Sequence, residues 1–463
     1  LNTARIIFRI FAEAGEEVFL VGGRVRDLLL GKETGDLDFA TSAMPEATAD
    51  IMRENGMRPI PIGVEFGTVS AVLHEGGHPV EVQVTTFRRS ENYTRGSRHP
   101  EVLFGGTLEE DLARRDFTVN AIAMDSGGRI IDPLGGLGDI RGRLIRTPLD
   151  PMVTLREDPL RMLRAYRFSC RLGFTIDPIL EEAVHNLHAE ILGISRERWK
   201  TEMDAILSSD DAVSTAGTLR ALRRSGLLGD MIPELTGMFH LDGLPQGPAH
   251  CDDIWNHTLE VVSHTGKADL HLRWAALLHD LGKPAMRTLD EQGAPHFFGH
   301  ETEGASLAGE VCERFRFSRR DRNTVVFLVQ NHLRPLTYVP EWGDCAVRRL
   351  QSDAGENLER LLDLAAADAA AHAETFAADA ARRLEQLRQR LAGLRYASGE
   401  RLLPRELGKR LLADAGDGGG AAVGIILRNL AEAVHRGELP AMAASQYYQE
   451  YLKTHPELRE PGN

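Results

Sequence analysis

Two glycines, an arginine and two aspartates within Phe19–Thr41, FLVGGRVRDLLLGKETGDLDFAT, have the types and spacing for chemistry. Gly22 and Gly23 follow the apolar run Phe19, Leu20, Val21. A phosphate can approach their backbone N–H groups with no Cβ in the way, and a helix starting there adds its positive end. Arg26 sits one helical turn on, aimed back at that cradle. In a strand, Asp36 and Asp38 share one face while Leu37 points into the sheet. Paired carboxylates beside a phosphate cradle suit two-magnesium phosphoryl or nucleotidyl transfer, because hard divalent ions take oxygen ligands. A Gly-Gly turn alone is usually only a turn, and an Asp-x-Asp is often only solvated. The combination with Arg26 carries the reading.

A second group is Arg156–Phe174, REDPLRMLRAYRFSCRLGF. Pro159 suits a first helical turn, Glu157 and Asp158 suit its positive end, and Arg161, Arg164 and Arg167 recur along one face. Leu160, Leu163 and Phe168 flank them, so part of the face is buried. Buried guanidinium groups need an anionic partner. A third group is His257, His279-Asp280, His300, His332 and Asp368. LHLRWAALLHDLGK places His279 on the helical side of Leu272, Ala275 and Ala276, and Asp368 shares the buried face of Leu361 and Leu364 whereas Asp363 does not. One inward histidine is usually a satisfied core residue; four with aspartates are better explained by a metal, since imidazole and carboxylate are its usual ligands.

The elements that must position these groups can be read coarsely. Ile6–Ala14 reads as an amphipathic helix, and Gly67–His74 and Val80–Thr86 read as strands, the second with Glu81 and Gln83 on one face. Glu81 is either a third acid near the metals or part of a solvated face, and it is left off the metal set. Phe87–Thr107, rich in Arg, Ser and Gly, reads as a mobile loop. Glu109–Met124 joins a helical start to an apolar strand through Arg114, Arg115 and Asp116, and Asp132–Ile140 is a turn-rich crossover. From Pro178 to Leu244 the pattern is helical. Alanine- and leucine-rich helices return after Ala377, broken by glycines at Gly416–Gly420.

With 463 residues, 42% hydrophobic and 26% charged, the chain has the composition of a soluble multidomain protein. No run approaches the roughly 20 apolar residues that a membrane span needs, so a cytoplasmic protein without signal peptide or membrane partner is expected. Cys170, Cys251, Cys312 and Cys345 lie far apart, which fits a reducing compartment. The net charge of −14 argues against nucleic acid only as an average. Arginines cluster in Arg88–Arg98, Arg114–Arg115, Arg141–Arg146, Arg156–Arg171 and Arg196–Lys200, which predicts a basic cleft on an acidic body.

The spacing G-G-x-x-R-D…D-x-D resembles the first motif of the class II nucleotidyltransferases, the tRNA nucleotidyltransferases (CCA-adding enzymes) and bacterial poly(A) polymerases. The resemblance implies catalytic, magnesium-binding Asp36 and Asp38, with Gly22, Gly23 and Arg26 at the phosphates. Arg114-Arg115-Asp116 is similar to the family's R-R-D motif, implying Arg115 on the nucleotide and Asp116 on the ribose hydroxyl. Glu157, Asp158 and Arg161 match its E-D-x-x-R motif. Asp158 would accept from the exocyclic amine of cytosine or adenine while Arg161 donates to adjacent ring acceptors, selecting C and A without a nucleic-acid template. Arg164 and Arg167 would lie toward the triphosphate or RNA. The loop at 87–107 implies an enzyme able to add the terminal A, and Ile194–Leu207, with Arg196, Arg198, Lys200 and Glu202, resembles a neck segment facing tRNA.

Residues 250 to 375 resemble the HD metal-dependent phosphohydrolases, with His257, His279, Asp280 and Asp368 as ligands of a divalent metal of unassigned identity and His300 and His332 making room for a second. The expected fold is α+β: a nucleotidyltransferase head (1–145) with a small mixed or antiparallel sheet, then an all-α neck (146–245), HD domain (246–375) and tail (376–463). The expected activity is CMP and/or AMP addition to a tRNA 3′ end from CTP and ATP. A bacterial poly(A) polymerase is the alternative, set aside because Pro61–Val69, PIGVEFGTV, looks like the tRNA enzymes. An HD phosphohydrolase using the head as an RNA-binding module is the alternative of another class.

Overall fold

The structure, a computed structural model, describes every residue except 1, 33–36, 61–66, 76–77, 93–100, 242, 245, 247–252, 267–268, 395–402, 416–419, 436–437, 441 and 460–463. Asp36, Cys251, most of the Pro61–Val69 stretch and most of the glycine break therefore lie outside the described residues, as does the centre of the 87–107 segment. The chain divides into two compact units, Leu1–His332 with Asp363–Ala377, and Leu333–Leu362 with Ala378–Asn463.

The head opens with α1 (Asn2–Glu13), whose Ile7, Phe8, Ile10 and Phe11 form one buried stripe. Then come β1 (Val18–Val21), α2 (Gly23–Leu29), β2 (Leu37–Thr41), α3 (Pro45–Glu54), β3 (Thr68–Glu75), β4 (His78–Thr86), β5 (Arg88–Asn92), β6 (Glu101–Phe104), α4 (Leu108–Ala113), β7 (Ala123–Met124) and β8 (Ile130–Ile131). The six-stranded sheet has order β3-β4-β2-β1-β7-β8. Its β2–β4 pair is parallel and the others are antiparallel. Alternation splits the sheet into two faces. On one, Phe39 meets Phe8 of α1 edge-on at 5.5 Å. On the other, Val21, Ala40 and Ala123 pack with Phe87, Leu108 and Leu112. The capping box of Thr107 and Glu110 starts α4 there.

The segment expected as a loop at 87–107 differs at its base: β5 and β6 pair antiparallel, so backbone hydrogen bonds order residues on both sides of 93–100. The neck comprises α5 (Gly136–Gly142), β9 (Leu144–Ile145), α6 (Pro151–Glu157), α7 (Leu160–Leu172), β10 (Thr175–Ile176), α8 (Pro178–Leu187), α9 (Arg196–Leu207), α10 (Ala212–Ser225), α11 (Leu227–Met231) and α12 (Thr236–Phe239). Glu157 also differs from expectation. It is the last residue of α6, and Asp158 is extended between two helices, because Pro159 disfavours helical backbone at the residue before it.

The next region is α13 (Ile254–Ser263), α14 (Leu270–Leu278), α15 (Lys283–Met286), a hairpin of β11 (Thr288–Leu289) and β12 (Pro295–His296), α16 (His300–Arg314) and α17 (Arg319–Asn331). It is joined to the neck through the end of α9. Buried Arg273 donates to the carbonyls of Leu207, at 2.8 Å, and Ser209, while the Trp274 indole donates to Asp204 at 2.8 Å. After α18 (Asp344–Ala354), α19 (Leu358–Ala370) carries Asp368 and is followed by α20 (Glu374–Gly393). In the second unit, α21 (Arg405–Ala415), α22 (Gly420–His435) and α23 (Ser445–Thr454) enclose Leu407, Leu411, Val423, Leu430, Tyr448 and Leu452. Among the described residues no helix is long and apolar enough to cross a membrane.

Candidate functional site

β1 ends at Val21, and its pairing Leu20↔Phe39 sets the glycine turn against the start of β2, where Asp38 stands. Gly22 has φ +72°, a backbone that favours glycine, and a Cβ there would lie 3.0 Å from an Arg115 guanidinium nitrogen. Asp38 lies opposite Gln83 of β4, and Gln83 donates to Glu81 at 3.0 Å on the same face. Arg26 is 2% exposed. Its guanidinium donates to Asp27 at 2.7 Å and to the Asn120 side chain at 2.5 Å, with the Phe168 ring 5.3 Å away. It braces the glycine turn from beneath.

Asn120 donates in turn to Asp116 at 2.9 Å, and Asp116 accepts two hydrogen bonds from Arg164, at 3.0 and 2.6 Å. Arg164 is 3.6 Å from Glu202 of α9, which also takes a 2.5 Å hydrogen bond from Arg167. Arg167 lies 4.1 Å over the Phe168 ring. The anions that the α7 arginines demanded are therefore Asp116 and Glu202. Burial raises the Asp116 pKa, but Arg164 together with the Asn120 and Phe117 donors outweighs it and holds the carboxyl below its ordinary value. The buried Asp111 carboxylate does the same for Arg114, at 3.2 Å, and Arg115, at 3.1 Å.

Arg161 donates to the carbonyls of Arg114, at 2.8 Å, and Thr154, at 3.2 Å, and to Glu157 at 3.2 Å. Asp158 is 9% exposed. It accepts from the Leu160 amide at 3.1 Å and from Arg198 of α9 at 2.8 Å. Arg115 thus borders the Gly22 turn, the carbonyl of neighbouring Arg114 holds Arg161, and the Arg161 amide donates to the Asp158 carbonyl at 3.0 Å. Nothing in the sequence marks Asp111 and Asn120 as bridges, or Glu202 and the half-exposed Arg198 as partners of Arg167 and Asp158. The Asn120–Arg26, Glu202–Arg167 and Arg198–Asp158 pairings join residues tens of positions apart.

The histidines converge in the same compact unit. His257 and Asp368 lie 3.1 Å apart, His279 and Asp280 3.1 Å, His300 and Asp280 3.5 Å, and His300 and His332 3.4 Å between Nε2 atoms. The ligand atoms of His257, His279 and Asp280 lie within 4.8 Å of one another, as do those of Asp280, His300 and His332. The Nδ1 atoms of His279, His300 and His332 meet the carbonyls of Ala276, Phe297 and Val329 at 2.8, 2.8 and 2.7 Å. A carbonyl can only accept, so Nδ1 carries the hydrogen and Nε2, the nitrogen left to bind a metal, turns inward. His300 and His332 bring two such nitrogens 3.4 Å apart in a buried pocket, a spacing that one cation can bridge. The donor set therefore fits a divalent metal.

His372, not anticipated from the sequence, completes a third set with His257 and Asp368. Lys283, also not anticipated, lies 2.7 Å from Asp280 and is within 2.7 Å of Gln246. Burial works against ionisation of Asp280, yet His279 and Lys283 hold its carboxyl well below the usual range, while burial and His279 push His332 down to about 4. Local sequence explains one essential approach. A Cβ on Gly282 would fall 2.1 Å from the His300 carbonyl oxygen, so only glycine after His279-Asp280-Leu281 lets α16 bring His300 to Asp280.

The "Poly A polymerase head domain" family matches residues 18–146, "Probable RNA and SrmB- binding site of polymerase A" residues 173–238, and "HD domain" residues 254–373. The chain is 34% identical to an A-adding tRNA nucleotidyltransferase of Deinococcus radiodurans, over 91% of this chain and 92% of that one. It is 35% identical to a multifunctional CCA protein of Pseudomonas fluorescens, over 68% and 74%. The crystal structure of the Bacillus stearothermophilus CCA-adding enzyme in complex with CTP superposes with TM-score 0.66 at 31% identity, over 98% of both chains.

Proposed function

The chain belongs to the family of class II tRNA nucleotidyltransferases and bacterial poly(A) polymerases, with an HD domain behind the head, and from that premise we propose that it adds CMP and/or AMP to tRNA 3′ ends. The observation that supports the reading is that Arg115 borders the Gly22 turn while the carbonyl of its neighbour Arg114 holds Arg161, which puts the expected phosphate cradle and base-reading arginine beside one short segment. The partners are then tRNA, CTP and ATP, and the compartment is the cytoplasm.

In this reading Asp36 and Asp38 hold magnesium, which when bound activates the attacking hydroxyl and stabilises the leaving pyrophosphate. The backbone of Gly22 and Gly23 receives the phosphates. Arg26, oriented by Asp27 and Asn120, serves the same phosphates and keeps that backbone in place. Arg115 reaches the nucleotide and Asp116 the ribose hydroxyl, while Arg164 and Arg167 fix the wall that carries them. Asp158 and Arg161 read the base. The tRNA 3′-hydroxyl attacks the α-phosphorus, the bond to the bridging oxygen breaks, pyrophosphate leaves and the hydroxyl proton passes to solvent.

The inward Nε2 atoms favour a second activity, hydrolysis of phosphate monoesters or cyclic phosphates by the HD domain. Water attacks phosphorus, the ester P–O bond breaks and the alcohol leaves with a proton. A divalent metal there would lower the pKa of the attacking water. His257, His279, Asp280 and Asp368 would hold it, with His300 and His332 completing a second position. The four-part division into head, neck, HD domain and tail belongs to this reading.

Incubation with tRNA lacking CCA and with tRNA ending in CC, using CTP and ATP separately, tests the main activity. One to three added nucleotides sustain it; a long A tail would make the protein a poly(A) polymerase. If Asp36→Ala extends tRNA at the wild-type rate, the catalytic assignment is wrong. Phosphohydrolysis with no nucleotide incorporation by the wild type would favour the HD domain as the main enzyme.

A further inference from the structure

We propose that Arg198 is a removable plug on the base-reading carboxylate, a specificity residue that must let go of Asp158 before cytosine or adenine can be read. The proposal rests on Asp158 as the reader of the base amine. In this structure the reading pair is satisfied internally. Asp158 Oδ1 accepts from the Leu160 amide at 3.1 Å, and its Oδ2 accepts from Arg198 at 2.8 Å. Arg161 is occupied by the carbonyls of Arg114 and Thr154 and by Glu157. A carboxylate 9% exposed is costly to leave without donors, so the protein supplies one where the base amine would go.

Of the groups engaging Asp158, the Leu160 amide is fixed in the first turn of α7, whereas Arg198 is a long side chain on α9. In the Arg198–Asp158 pair the Arg198 side chain is 44% exposed and that of Asp158 only 11%. Arg198 alone has solvent to swing into. The exchange is one charge-assisted hydrogen bond for another, and only a base carrying an amine at that position can make it. Uracil presents O4, an acceptor, and cannot replace the guanidinium. Arg198 thereby weakens binding of the correct nucleotides a little, and it can reclaim Asp158 once the added nucleotide moves on.

Binding of CTP, ATP and UTP to the full chain with magnesium and no tRNA, measured by calorimetry, tests this. Arg198→Gln and Arg198→Ala should lower Kd for CTP and ATP by about two- to fivefold, the worth of a half-exposed ion pair, and leave UTP where it was. The opposite sign is expected of a plain brace, because losing a brace loosens Asp158 and weakens CTP. An unchanged or raised Kd for CTP, or an equal gain for UTP, overturns the proposal. Asp158→Ala provides the separate arm. If it keeps the wild-type preference for CTP over UTP, base reading by Asp158 itself is wrong, and the plug falls with it.

Discussion

Arg164 and Asp116, 48 residues apart in the chain, are joined by two hydrogen bonds, of 3.0 and 2.6 Å, to a single carboxylate oxygen. The pair ties the R-R-D segment to α7, and through Asn120 it reaches Arg26 under the glycine turn. A nucleotide bound here would meet a wall already stiff before it arrives, which is how positioned charges lower a barrier without reorganising.

Cutting that tie should cost both stability and turnover. Asp116→Ala leaves Arg164 facing only Glu202 and is expected to destabilise the chain by about 1–3 kcal/mol, the range for removing one partner of a mostly buried ion pair whose arginine is a third exposed. Urea melts give the first number and CMP incorporation the second. Asp116→Asn, which keeps the Asn120 contact, should fall between wild type and alanine.

Acid should loosen the head. Asp111 and Asp116 are both held below their ordinary value by arginines that outweigh burial. A depressed carboxylate contributes stability that is complete above its unfolded pKa, about 3.9, and is lost as pH falls through the folded value. Stability from these pairs should be flat from neutrality to about pH 4 and decline below it. In Asp111→Asn that decline should be shallower, as thermal melts across pH 2.5–7 would reveal.

Asp38 is the second residue of β2, opposite Gln83, with Leu37 and Phe39 facing the core on either side. Asp38→Asn keeps the strand and removes the charge. Nucleotide incorporation should drop to the detection limit while the melting temperature moves by no more than about 2 °C, because the Asp38 side chain is only half-buried and asparagine keeps its shape. A mutant that stays active would remove Asp38 from the reaction.

Divalent metal should stabilise the HD region. At a free concentration a hundred times Kd a single site adds about 2.7 kcal/mol to folding, and chelation with EDTA removes it. Manganese or nickel should raise the melting temperature of the wild type. His279→Ala and Asp280→Ala should abolish that rise.

Gly282 should tolerate no side chain. With the His300 carbonyl 2.1 Å from an ideal Cβ and the Gly304 amide at 2.6 Å, Gly282→Ala must push α16 away from α15. The expected cost is more than about 3 kcal/mol, as for other overpacked sites between backbones. The metal-induced thermal shift should vanish with it, even if the remainder of the chain stays folded.

The sequence by itself determined the local parts. Alternation gave Leu37 inward and Asp38 outward, the 3.6 period chose Asp368 over Asp363 for the buried face of α19, and the glycines marked the end of β1, because these depend only on backbone geometry and side-chain polarity. It also told that the α7 arginines needed anions. It could not say which ones, nor that residues 87–107 start and end as a hairpin. Nor could it show that Arg198 pairs with Asp158, that Arg26 is buried against Asp27 and Asn120, or that Lys283 and His372 join the histidines. Those outcomes were decided by tertiary structure. Most depend on a partner tens of residues away, and a buried charge takes whichever opposite charge the packing brings within about 3 Å, a choice that no local spacing encodes.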